Sequence, residues 1–127
     1  MLFRIVTSIF RALDALPFTG TVFRSFVAAE AFGVASRAMR DKNFSRAYQV
    51  LQIFENDSVE NVWVASCQYM LGCLIYRGLS TNKDISRAIN VIQMAACAGN
   101  SDAISYLQRR TKLEKVGHDM DSFEPWF

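Results

Sequence analysis

Histidine occurs once in this sequence, at His118, and cysteine three times, at Cys67, Cys73 and Cys97, with no C-x-x-C spacing. Zinc-ligand spacing is therefore missing, and an odd number of cysteines makes no disulfide framework. Three reduced, small core residues in a cytoplasmic protein are expected. Only 2 prolines and 6 glycines punctuate the 127 residues, which suits long helices and few tight turns. No run of eighteen apolar residues occurs, so no membrane-spanning helix is expected. Neither sign of charge dominates: 14 basic residues are interleaved with 12 acidic ones, for a net charge of +2. That balance lacks the concentrated basic face of a nucleic-acid binder. Gly-rich phosphate loops, nucleophile elbows and metal-ligand clusters are also missing. His118 has Asp119 and Asp121 beside it, but a solvated end offers no pocket to tune their pKa values. Neither an enzyme nor a cofactor or metal is expected.

What the sequence does hold is apolar mass and repetition. Hydrophobic residues make up 51% and charged residues 20%, enough for one globular core. The segment FSRAYQVLQIF (44–54) returns as ISRAINVIQMA (85–95): Ser45, Arg46, Ala47, Val50 and Gln52 recur 41 residues on as Ser86, Arg87, Ala88, Val91 and Gln93. A second signature precedes each copy. Ala28, Phe32 and Gly33 recur 39 residues on as Cys67, Leu71 and Gly72, and weakly as Ala103, Leu107 and Gln108. On a helix the small and large residues, four apart, share a face. The adjoining glycine costs about 1 kcal/mol against alanine, so it predicts a neighbouring helix too close for a β-carbon.

The pattern predicts helices near 2–16, 22–40, 44–55, 60–78, 84–98 and 101–115. Pro17 stops the first, Asp84 caps the fifth, and Gly99 with Ser101 ends one helix and caps the next. With no sustained period-two alternation, the chain reads as all-α. Three regions follow: an amphipathic helix and linker (1–20), a repeat domain (21–116) and an acidic-aromatic tail (117–127).

Residues 67–107 resemble the Sel-one-like repeat, a relative of the tetratricopeptide repeat with a longer loop in each helix pair. Leu71-Gly72, Gly78, Asp84, Arg87-Ala88, Ala95-Ala96, Gly99 and Ala103 stand at that family's Leu-Gly, loop Gly, Asp, Lys-Ala, Ala-Ala, Gly and Ala positions. The chain departs from the pattern at Ile75, Ser80 and Val91-Ile92. Segment 28–57 resembles a degenerate copy and 101–115 a half copy. The resemblance implies a short right-handed α-α solenoid of about two and a half repeats, used without catalysis as a protein-interaction module. Two roles suit such a surface: an adaptor or scaffold subunit of a larger assembly, or a small immunity or inhibitor protein that neutralises an enzyme or toxin.

In the helix near 60–78, Cys67, Leu71, Leu74, Ile75 and Gly78 form a packing face, and Tyr69, Cys73 and Tyr76 an opposite stripe. The repeat carries that stripe to Glu30, Val34 and Arg37 before it and to Ser105, Arg109 and Lys112 after it. The expected partner site is a concave stripe of Arg37, Tyr69, Tyr76, Arg109 and Lys112, aromatic at its centre and basic on its flanks. It suits an acidic or C-terminal peptide segment. The competing reading covers Tyr69 and Tyr76 with the N-terminal helix or the tail.

Both ends are unusual. Residues 1–16 place Leu2, Phe3, Ile5, Val6, Ile9, Phe10, Leu13 and Leu16 on one face, against Arg4, Thr7, Ser8, Arg11 and Asp14. A cap on the first repeat, a peripheral membrane or partner contact, and a mitochondrial targeting segment all fit. The L-P-x-T-G match at Leu16–Gly20 is far from the position a sortase signal takes. The tail DMDSFEPWF offers Phe123, Trp126 and Phe127, either as a cap folded over the last helix or as a partner-binding motif.

Overall fold

The structure, a computed structural model, describes residues 4–5, 19–58 and 60–125. Apart from Arg4 and Ile5, the amphipathic segment 1–16 lies outside the described residues. All regular elements among the described residues are helical. From residue 19 onward the described residues form five α-helices in succession: α1 (Thr19–Arg40), α2 (Phe44–Leu51), α3 (Val62–Arg77), α4 (Ile85–Cys97) and α5 (Ser101–Lys115), with 3₁₀ turns at Gln52–Phe54 and Met120–Ser122. Each packs on the next, and α1 also packs on α3.

The duplicated motif is reproduced in three dimensions. Asn43 and Asp84, 41 residues apart, cap α2 and α4 by accepting from Arg46 N and Arg87 N at 3.2 and 3.0 Å. Four residues past each cap, Ala47 and Ala88 are wholly buried, as are Leu51 and Ile92. A side-chain acceptor at the first unpaired amides and a small residue where helices cross are local requirements, so both copies meet them alike. Asn61 caps α3 through Trp63 N and Val64 N, which sets its start at Val62. Gly78, at φ +70, ends it in the left-handed conformation with Leu79 N donating to Leu74 O. The cap of α5 is Asn100 rather than Ser101: its side chain accepts from Ala103 N at 2.9 Å. Helix α1 begins at Thr19, three residues earlier than its apolar pattern, because first-turn amides need no intrahelical partner and tolerate Gly20 there.

The close approach predicted from the glycines holds at one of them. A β-carbon on Gly72 would lie 2.5 Å from Cγ1 of buried Ile92 and 3.3 Å from the Ala88 carbonyl, so α3 and α4 touch at backbone range. At Gly33 the nearest atom would be the end of Arg37 at 3.8 Å, and no crossing requires glycine. On α1 the close-packing role passes to Ala28, Ala31, Ala35 and Ala38, all buried, and Cys67 Sγ donates to the Ala28 carbonyl at 3.4 Å.

Polar contacts then fix the join between hairpins. The buried Gln68 amide donates to the carbonyls of Phe54 and Asp57 at 3.0 and 2.6 Å, adding a second donor to the Phe54 carbonyl that also accepts from Asp57 N. Arg24 pairs with Asp57 at 2.9 Å, their side chains only 12% and 6% exposed. Arg87 meets the Glu55 carboxylate through two nitrogens and the Tyr48 hydroxyl through one. All three ties link sequence-distant segments.

The three cysteines are free thiols, but only two are core residues. Cys67 and Cys73 are buried, and burial pushes both thiols up to about 12; Cys97 is exposed on the last turn of α4. Ellman titration of the native protein is expected to show one fast thiol, lost in Cys97→Ser, and two that react at the rate of unfolding. The buried pair titrate near 12 when folded and near 9 when unfolded. Their contribution to stability is therefore full below pH 9 and is lost as pH rises from 9 toward 12. Melts across that range measure it.

Candidate interaction site

Helix α3 is buried on nearly every side: all residues from Cys67 to Tyr76 are inaccessible or nearly so. Its sequence carries no charge between Val62 and Tyr76, the composition of a helix enclosed all round rather than one with a wet face. Helix α1 covers the Cys67, Met70, Leu71 and Leu74 side, and α4 with α5 covers the other, where Tyr69 and Cys73 cluster with Ile92, Ala95, Ala103 and Tyr106.

Tyr76 is where α3, α5 and the tail meet. Its ring is wholly buried and lies edge-on to Tyr106, 6.3 Å between centroids. Arg110, one turn beyond Tyr106, stands 5.7 Å over the same ring. Arg110 Nη1 lies 2.9 Å from the Tyr76 hydroxyl, 3.2 Å from the Tyr106 hydroxyl and 2.9 Å from the Met120 carbonyl. Two protons on that nitrogen are shared among three acceptors. The Tyr76 hydroxyl donates toward the carbonyls of Met120 and Asp121 at 3.2 and 3.0 Å. Tyr106 donates to the Phe123 carbonyl at 2.6 Å, and the Phe123 ring stacks on it at 5.0 Å, nearly parallel. Burial holds the Tyr106 phenol well above its ordinary pKa.

The tail closes over this cluster. Asp119 caps its 3₁₀ turn by accepting from Asp121 N at 3.0 Å. Asp121 reaches Arg110 at 3.3 Å and Glu124 reaches Arg77 at 3.7 Å. Both carboxylates are well exposed, so these pairs orient the tail more than they stabilise it. Pro125 is buried beyond them.

These positions redraw the expected stripe. Tyr69 and Tyr76, 4% and 0% exposed, are packed rather than open to a partner. Arg37, Arg109 and Lys112 are exposed, on the solvent sides of α1 and α5. The cations that reach Tyr76 are Lys83, 6.0 Å over the ring, and Arg110, one position from Arg109 and so about 100° around the helix. The physical reason is that α4 and α5 lay their own packing faces, Ile92 and Ala95 with Ala103 and Tyr106, on the stripe of α3. Phe123 packs on Tyr106 of α5, while Trp126 and Phe127 lie outside the described residues.

An open groove of about 550 Å³ does exist, one face over. Phe32, Ser36, Met39 and Arg40 of α1 form its wall, Arg77 of α3 stands across from them, the buried Tyr69, Met70 and Cys73 reach it only by their edges as a floor, and Asn100 and Asp102 stand at its α5 end. Its α1 wall follows from the spacing of Phe32, Ser36 and Met39, which continues the small-large signature along one face. A shallower hollow near the start of α1 carries Val22, Phe26 and Trp63, all exposed, with Trp63 tilted against Phe32 at 5.8 Å.

Among the described residues no three His, Cys, Asp or Glu side chains gather as metal ligands, and no helix is long and apolar enough to cross a membrane. Comparison with protein-family models, with curated proteins and with solved structures gives no match.

Proposed function

We propose that this chain is a non-catalytic protein-interaction module, an adaptor or scaffold subunit, whose helix hairpins stack as a short right-handed solenoid of the Sel-one-like kind. The groove between α1 and α3 carries this reading. It combines an apolar lining of Phe32, Met39 and Met70 with Arg40 and Arg77 at its sides, the mixture that seats an apolar anchor and orients an acidic neighbour. Stacked hairpins leave such a surface because no single hairpin buries its own apolar face. The duplicated caps and buried alanines of α2 and α4 support the stacking.

Ser36→Trp tests the site, since it fills the groove while leaving every core side chain in place. Affinity capture with the full chain as bait is expected to retain partners that the Ser36→Trp bait loses. Equal retention by both baits rejects the groove, and no specific retention by either rejects the module. Several subunits captured together assign an adaptor, whereas one tight stoichiometric partner assigns an inhibitor.

A further inference from the structure

Residues 119–125 are held as a ligand is held. Three backbone carbonyls, those of Met120, Asp121 and Phe123, accept hydrogen bonds from side chains of α3 and α5. One ring, Phe123, stacks on Tyr106, and two carboxylates meet Arg110 and Arg77. None of these contacts depends on the segment being continuous with α5. We propose that Tyr76, Tyr106, Arg110 and Arg77 form a recognition site for an acidic segment with a central aromatic, and that the chain's own tail is its resident, displaceable ligand. This rests on the interaction-module reading and names a partner class and a control for it.

Three observations carry the inference. The receiving groups are tied to one another without the tail: Arg110 donates to the hydroxyls of both Tyr76 and Tyr106, and the Tyr76 and Tyr106 rings pack edge to face. A preorganised site loses little freedom on binding. Charge is complementary, since Asp121 and Glu124 face Arg110 and Arg77, and no base lies between 119 and 125. The tether can open, because Val116, Gly117, His118 and Asp119 are all exposed and Gly117, at φ +77, has no neighbour within 4 Å of a β-carbon position. Opening there leaves α5 intact.

A tethered ligand competes at millimolar effective concentration, so a free segment must bind the full chain more weakly than a chain whose tail is disabled. The probe is a fluorescein-labelled peptide, DMDSFEPWF, titrated into the full chain, a chain ending at Gly117, and a full-length Asp121→Lys/Phe123→Ala variant. The last serves where truncation costs folding. The peptide is expected to bind the tail-disabled chains at least tenfold more tightly than the full chain. Arg110→Gln in the tail-disabled background, still helical by circular dichroism, loses that binding. Saturating peptide added to the full chain speeds protease cleavage at 116–120. A folded, tail-disabled chain that ignores the peptide overturns the proposal, as does equal binding of a scrambled peptide. So does a full chain that never releases its tail. Arg77 borders both sites, but Arg110 lines only the tail site and Ser36 only the groove; Ser36→Trp leaves the peptide binding unchanged and Arg110→Gln leaves groove capture unchanged, so failure here and failure of the α1–α3 groove are read separately.

Discussion

Tyr76→Ala is expected to lower the melting temperature by roughly 10–20 °C, corresponding to about 3–5 kcal/mol. The ring is wholly buried against Tyr106 and under Arg110, so truncation opens a cavity at the junction of α3, α5 and the tail. It also removes a hydroxyl that accepts from Arg110 and donates to the tail carbonyls. Tyr76→Phe separates the two contributions: it keeps the ring, and loses about 1–2 kcal/mol for the partners left without the hydroxyl. Thermal melts followed at 222 nm measure both variants. A Tyr76→Ala protein that melts within a couple of degrees of the parent would place the ring outside the core and contradict this account.

The second large effect is at Gly72. A β-carbon there meets Ile92 Cγ1 at 2.5 Å, and the Ala88 carbonyl behind it is backbone that cannot turn aside. Gly72→Val adds two further methyls at this crossing and is expected to cost about 3 kcal/mol or more, the upper range for overpacking a core. Gly33→Ala has the opposite sign: with open space around the site, it gains about 0.5–1 kcal/mol from helix propensity. Introducing Ile92→Ala first removes the two carbons that crowd Gly72, so Gly72→Ala should cost less in that background than in the parent. Additive costs in this cycle would show that the crossing is not what excludes the side chain.

The contrast between the two glycines shows which features were legible in the sequence. Caps, small crossing residues and helix ends depend on a few neighbours, so Asp84, Ala47, Ala88 and Gly78 announced themselves. The Asn100 cap was missed by one position because Asn and Ser both serve there and only geometry selects between them. The stripe on α3 was misread for another reason. Helical periodicity assigns each face a direction, but not whether a fifth helix and a tail will cover it. The absence of charge from Val62 to Tyr76 was the available signal, and it pointed to burial. Arg110 and Gln68 were not legible, because their roles are set by carbonyls brought close only by the fold.

The enclosure of α3 also has a timetable. Its α1 side can be covered as soon as α3 is made and its α4 side once Ile92 and Ala95 follow, whereas the Tyr76 end awaits α5 and the tail, and Tyr76 meets Met120 only across 44 residues. At roughly 5–20 residues per second of synthesis, that interval lasts several seconds. Until then the growing chain leaves incompletely covered the Tyr76 end of a helix with no charge before Arg77. The tail thus ends the period in which the nascent protein is most adhesive.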